Sequence, residues 1–335
     1  QAWPRWEPPR RLSPMFASVT ETPQSKAQES PSDEERDGSG VQYVYLIRHS
    51  ESRWNRAQAD SDYYGMFKEY DHGLSETGRQ QAETLQSELA LAEARVKEST
   101  PTWDREYLQR LVTPGVVFTS PFTRAIETAA IALKALLGAG VELVVMREAR
   151  EHRSSCLAVD SSGVAVGEEV VKRVEEELKT LYGGEAPVDV PALNLKDVGD
   201  EWWSPSAEPE EIIASRQAAF LERLRALGPA TSAIVVGHSH FFRRLLQTEL
   251  NPKASITHKD IFASLQKHVI PPCGVVGLQL DWDASGGCIV EAVPLLGTAL
   301  LPADSAQVDE GHCTRGGKAC TGCATGSLVQ SCTIA

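Results

Sequence analysis

The sequence predicts an α/β fold, a three-layer α/β/α sandwich with a mostly parallel central sheet. Two observations predict it. Apolar, β-branched runs of strand length recur along the chain, several of them apolar at both parities, as strands buried on both faces are. Amphipathic helical patterns alternate with those runs.

The strand runs are VQYVYLIR (41–48), GVVFTS (115–120), VELVVM (141–146), SAIVVGH (232–238), VVGLQLDW (275–282) and CIVEAVP (288–294). After the first comes SETGRQQAETLQSELALAEARV, with Ala82, Leu85, Leu89 and Ala92 spaced as one helix face and Ser75 as its N-cap. SPFTRAIETAAIALKALL is predicted to open with Ser120 as N-cap and Pro121 at the first helical position, which puts Arg124 on the second turn. EPEEIIASRQAAFLERLRAL (208–227) is a further amphipathic helix, and FFRRLLQTEL follows the strand that ends at His238. One domain is expected over 41–297. It lies between a disordered segment at 1–40, rich in Ser, Pro, Glu and Asp, and a flexible cysteine-containing tail at 298–335.

The chain has 335 residues, 41% hydrophobic and 24% charged, as ordinary globular proteins do. Its net charge of −13 argues against nucleic acid as the main partner. No apolar run is long enough for a transmembrane helix, and the stretch QAWPRWEPPRRLSPMFASVT lacks the apolar h-region of a secretory signal. Cys156, Cys273 and Cys288 are scattered, which suits a reducing, cytoplasmic setting. Residues 1–14 precede the first Met, Met15. They read as a translated leader or a fragment end, with an organelle transit peptide as a weaker reading of their Arg-containing, acid-poor composition.

In a parallel α/β sheet, ligands sit beyond the carboxyl ends of the strands. Arg48-His49, Ser120 to Arg124, Arg147 to Glu151, and His238 each end one of the runs, so they meet at one edge. Taken alone, His49 would read as a satisfied core histidine. Taken together, two arginine forks can hold a phosphoryl group, and a neutral imidazole can attack it. A carboxylic acid from Glu148 or Glu151 can protonate the leaving oxygen, and a protonated His238 would add positive charge. No metal ligand set and no cofactor is needed. His72, His240, Trp202 and Trp203 read as loop or packing residues.

The motifs resemble those of the histidine phosphatase superfamily, the phosphoglycerate-mutase-like family. RHSESRWN (48–55) is similar to its RHGExxxN signature. DHGLSETGRQQA (71–82), SPFTRAIETA (120–129) and VVGHSHFFRRL (235–245) are similar to its later motifs, in the same order. REAREHRSS (147–155) and EWWSPSAEPEEIIASRQAAFL resemble segments of its plant, fungal and algal members. The resemblance implies a metal-independent phosphatase acting on a phosphomonoester through a phosphohistidine. It makes His49 the nucleophile and Glu151 the proton donor in preference to Glu148. Arg48, Asn55, Arg124 and His238 would bind the phosphate of a small phosphorylated substrate or a phosphoprotein.

Two departures matter. The family's Gly after the histidine is Ser50 here, which would be strained if that position needs φ > 0. The segments by which cofactor-dependent mutases bind phosphoglycerate are missing from 56–120. An insertion at 100–115 stands there instead and is expected, with loops, to supply pocket wall. A mutase-type phosphotransferase and a catalytically silent phosphate binder remain as alternatives. From another class, GHSHF (237–241) approaches the nucleophile elbow of α/β-hydrolases, with Ser239 as nucleophile and Asp260 and His268 as partners. Phe241, where the elbow needs Gly, argues against it. In the tail, His312, Cys313, Cys320, Cys323 and Cys332 hold a single C-x-x-C, too ragged for a regular zinc site.

Overall fold

The computed structural model describes residues 40–98, 102–153, 158–184, 190–253 and 259–302. The expected segment before residue 40, Cys156 and the tail cysteines lie outside the described residues.

Five strands run parallel in the order β4 (Leu193–Asn194), β3 (Leu143–Val145), β2 (Val116–Thr119), β5 (Ala233–Gly237) and β1 (Val41–Arg48). Strand β7 (Val275–Asp281) pairs antiparallel with β1, and β8 (Ile289–Leu295) antiparallel with β7. A second, two-stranded sheet pairs β6 (His268–Val269) with β9 (Leu301–Pro302), so the described fold runs past the expected domain end at 297.

The helices are α1 (Arg53–Ala59), α2 (Tyr63–Phe67), α3 (Glu76–Lys97), α4 (Arg105–Val112), α5 (Thr123–Ala132), α6 (Lys134–Gly138), α7 (Glu168–Leu181), α8 (Glu210–Arg225), α9 (Ser239–Glu249) and α10 (Lys259–Lys267). The two parities of β1 divide the core. Tyr43, Tyr45 and Ile47 pack with α3, α4, α5 and α7 on one face. Val44 and Leu46 pack with α8, α9 and α10 on the other. That is the three-layer sandwich, with β1 apolar on both faces because both are covered.

Helix α3 starts as its sequence predicts, with the Ser75 hydroxyl accepting from Gly78 N at 3.0 Å. A Cβ on Gly78 would collide with the Glu51 carbonyl, so a side chain there would push the helix away from the strand-end loop. Helix α5 does not start where predicted. Ser120 N donates to Val236 O at 2.9 Å, which keeps Ser120 in the sheet, and α5 begins at Thr123. Its cap comes from outside the local sequence. Asp71 accepts Thr123 N at 2.9 Å and Thr123 Oγ1 at 2.7 Å. Arg124 therefore stands on the first turn of α5, not the second. Asp71 holds a φ of 48°, a left-handed conformation that Asp tolerates better than most residues.

The 100–115 insertion does not wall the site. Its helix α4 buries Tyr107, Leu108 and Leu111 beneath the sheet, where Tyr45 Oη donates to Tyr107 O at 2.6 Å. Ser232, just before β5, donates to Arg110 O, so α4 sits toward the end of the sheet opposite His49. Among the described residues no helix is long and apolar enough to cross a membrane.

Candidate active site

Strands β1 and β5 are paired parallel, so His49 and His238 leave the same edge of the sheet one position beyond the last paired residues, Arg48 and Gly237. His49 N donates to Gly237 O at 2.9 Å, and the two imidazole centroids are 5.0 Å apart. His49 Nδ1 lies 2.6 Å from the Ser50 carbonyl oxygen. A carbonyl only accepts, so Nδ1 carries the proton and Nε2 keeps its lone pair. That Nε2 faces Arg124, whose Nε approaches it at 3.4 Å. Burial, then the charges of Arg124 and Arg48, holds His49 well below the ordinary histidine range, so its ring is neutral at physiological pH.

His238 is buried beside it. Its Nε2 lies 2.7 Å from Ser120 Oγ, and Nδ1 has no hydrogen-bond partner. Burial, Arg124 and His49 push its pKa well down, so the unliganded site does not favour the protonated His238 that the sequence suggested. Arg124 is 1% exposed, with its guanidinium 4.6 Å from the Phe122 ring centroid. It donates to Asp160 O at 3.0 Å and pairs with Asp160 Oδ2 at 3.3 Å. The main-chain carbonyl of Ile270 accepts from Arg48 at 3.1 Å.

Glu151 reaches the site from the loop after β3. Its carboxylate accepts Phe241 N at 3.0 Å, His240 N at 3.2 Å and His152 N at 2.9 Å, which places it on the N-terminus of α9. The loop is fixed from α8. The buried Glu208 pairs with Arg216 at 2.9 Å and also with Arg150, and Arg216 donates to Glu148 O and Arg150 O. The Glu148 carboxylate pairs with Arg223 at 3.3 Å. A cavity of about 250 Å³ opens here, and His49, Asn55, Arg124 and Glu151 are on its wall, while Glu148 is not. Asn55 is the third residue of α1 and closes a capping box with Ser52. Arg48 and His238 are buried beside His49 and are not on the open wall.

The family model described as histidine phosphatase superfamily (branch 1) matches residues 44–100, the stretch that carries RHSESRWN and DHGLSETGRQQA. Over that stretch the chain is similar to the histidine phosphatase superfamily. No curated protein sequence matches it. Among solved structures it is similar to phosphoglycerate mutase from Bacillus anthracis, at 16% identity and TM-score 0.43 over 77% of this chain and 95% of that one. It is also similar to the alpha-ribazole phosphatase from Shigella flexneri, at 14% identity and TM-score 0.40 over 76% and 96% of the two chains. A mycobacterial glucosyl-3-phosphoglycerate phosphatase aligns at 16% identity and TM-score 0.38 over 78% and 98%.

Ser50, which stands where the resembled motif has glycine, carries no backbone strain, since it is not among the described residues with positive φ. Ser50 N donates to Thr128 Oγ1 at 3.0 Å, and its hydroxyl lies 3.1 Å from the same oxygen. Thr128 gives its own proton to Arg124 O, so the Ser50 hydroxyl donates and helix α5 absorbs the extra polar group. The hydrolase elbow finds no support. Ser239 is the first residue of a regular helix, and Asp260 and His268 are not on the cavity wall that Ser239 joins. His268 Nδ1 is turned to the Ser264 carbonyl oxygen in helix α10. Trp202 packs edge-on against Phe122 and donates to Ala165 O, a structural role as expected.

Sequence reasoning missed Asp160, Arg243 and Arg244, and it set His240 aside. All four are on the cavity wall. Asp160 sits in an isolated 3-10 turn (Val159–Ser161) with no periodicity to mark it. The signal for the others was present, because Ser239, Arg243 and Gln247, and beside them His240 and Arg244, recur at a spacing of four along α9.

Proposed function

We propose that this protein is a phosphatase that hydrolyses small phosphomonoesters through a phosphohistidine on His49, without a metal. The observation that carries the reading is the short contact from His49 Nδ1 to the Ser50 carbonyl, which leaves a neutral Nε2 lone pair facing Arg124. Nε2 attacks phosphorus and the P–O ester bond breaks. Arg124 exchanges Asp160 for the phosphoryl oxygens and stabilises their growing charge, with Arg48, Asn55 and His238 around it. Glu151 gives its proton to the leaving oxygen, and the amides of His152, His240 and Phe241 hold the carboxylate that remains. A water deprotonated by Glu151 then attacks the phosphohistidine. The P–N bond breaks, its electron pair returns to Nε2, and inorganic phosphate leaves.

The test is hydrolysis of p-nitrophenyl phosphate by the full chain, with an alkaline detergent quench that preserves the acid-labile phosphohistidine. Turnover with a labelled His49, both lost in His49→Ala, is expected. If wild type and His49→Ala are equally inert while phosphate still binds, the protein is a phosphate binder and the hydrolytic reading is wrong.

A further inference from the structure

A second cavity, of about 350 Å³, lies behind the loop that carries His49 and shares no lining residue with the catalytic cavity. His49 meets β5 on one side of β1. On the other side the turn before β7 makes one cavity wall. There Cys273 N donates to Arg48 O at 3.1 Å, and Arg48 N donates to Gly274 O at 3.3 Å. Helix α3 makes another wall, where Gln81 Oε1 accepts Glu51 N at 2.9 Å. Residues of the cavity therefore hold the backbone on both flanks of His49 and Ser50. A path of side chains also crosses the loop. The Cys273 thiol is within hydrogen-bonding reach of the Ser50 hydroxyl, Ser50 donates to Thr128, and Thr128 donates to Arg124 O. Glycine at position 50 would interrupt that path.

The lining selects a chemistry. Leu85, Pro271, Pro272 and Leu296 make it largely apolar, and Glu88 is its only charged residue among those described. Burial alone pushes the Glu88 carboxyl up, with no cation beside it to hold it down. An ammonium group supplies the missing counter-charge, and a net charge of −13 favours the approach of a cation. Cys273 and Leu296 hold φ of 58° and 50°, a conformation that such side chains avoid and that tends to collect at ligand sites and switches.

We propose that this rear cavity binds a small amine with an apolar body, and that the bound amine tightens phosphate binding on the other side of the loop. The ammonium faces Glu88, and the apolar body lies against Leu85, Pro271 and Leu296. Contact with both α3 and the 271–274 turn ties down the backbone of Arg48 and Glu51, which lowers the ordering that phosphate must impose at Arg124. The amine site stands on its own lining, and its effect requires only that phosphate binds, whether or not the chain hydrolyses esters.

Cyclohexylmethylamine is the probe and cyclohexylmethanol its neutral counterpart, each titrated into the full chain by saturation-transfer NMR. The amine should bind about fivefold more tightly, the upper scale of a partly exposed ion pair. Glu88→Gln should make the two equal, and Ala299→Trp, which fills the cavity, should remove both, with thermal melts showing that each variant is folded. Calorimetry with inorganic phosphate then reads the coupling. Saturating amine should tighten phosphate about fivefold in wild type, the low end of coupling between sites, and should leave Glu88→Gln unchanged. Equal binding of the two probes, a preference that survives Glu88→Gln, binding that survives Ala299→Trp, or a phosphate affinity that the amine does not raise overturns the proposal. Phosphate that binds in neither condition would sink the phosphate pocket, while the amine preference would still decide the rear cavity.

Discussion

Helix α5 borders two buried polar regions. From its first turn Arg124 reaches the imidazoles of His49 and His238, which burial and neighbouring cations drive well below the ordinary histidine range. One turn later Glu127 points into a region of carboxylates. It accepts Leu74 N at 2.8 Å, and burial, with Glu177 and Asp71 nearby, pushes its pKa up to about 8. Asp71 is raised there too, by burial against the pull of Thr123 and Arg124. Both regions refuse charge for the same reason, the loss of solvation. The outcome differs because the groups differ. A neutral imidazole is a nucleophile, whereas a neutral carboxyl is a hydrogen-bonding strut.

Breaking the first region should cost activity and little stability. His49→Ala should lower turnover of p-nitrophenyl phosphate by about 10³-fold or more, with a nearly unchanged melting temperature. Arg124→Lys replaces a planar fork by a point charge, and kcat/KM should fall about 10²-fold. The pH profile sharpens the same point. His49 has a folded pKa below 6.5, so its neutral form persists as pH drops through 6.5, and any acid limb it causes must lie lower. The linked cost in stability appears only as pH falls below 6.5, where the unfolded chain takes up a proton that the folded chain refuses. An acid limb centred at or above 6.5 that vanishes in His49→Ala would contradict this.

Breaking the second region should do the reverse. Glu127 has a folded pKa of about 8 against 4.5 unfolded, so its contribution is complete below 4.5 and is lost as pH rises toward 8. Glu127→Gln cannot ionise. Relative to wild type its stability should rise across that window, by at most about 5 kcal/mol, as urea titrations at several pH values would show. A difference that is flat with pH would mean that Glu127 is ionised in the folded protein. Smaller effects come from residues that join the regions. Asp160→Asn frees Arg124 of its carboxylate, so inorganic phosphate should bind roughly tenfold more tightly by calorimetry. Ser50→Gly should destabilise by only about 1 kcal/mol, through a lost hydrogen bond and added chain entropy, with near-normal turnover.

The six long strand runs and the α3 cap were legible because periodicity and capping act within a few residues. Helices α1, α4, α7 and α10 were not read from the sequence, although α7 buries Val170, Val174 and Leu178 on one face. The two-residue strands β4, β6 and β9 are too short to carry a pattern. Strand-end logic brought His49, Arg124, Glu151 and His238 to one edge. It misassigned the cap of α5, because the true cap, Asp71, lies 52 residues away from Thr123.

By itself, then, the sequence determined the alternation of strand and helix, the polar residues at the ends of β1, β2, β3 and β5, and the motifs that resemble those of the superfamily, because these are local patterns. Only the tertiary structure decided which carboxylate reaches the cavity, which tautomer His49 holds, and how Ser50 fits against Thr128. Those outcomes depend on contacts between residues far apart in the chain and on burial, which alters the cost of every charge, and no short window of sequence contains either.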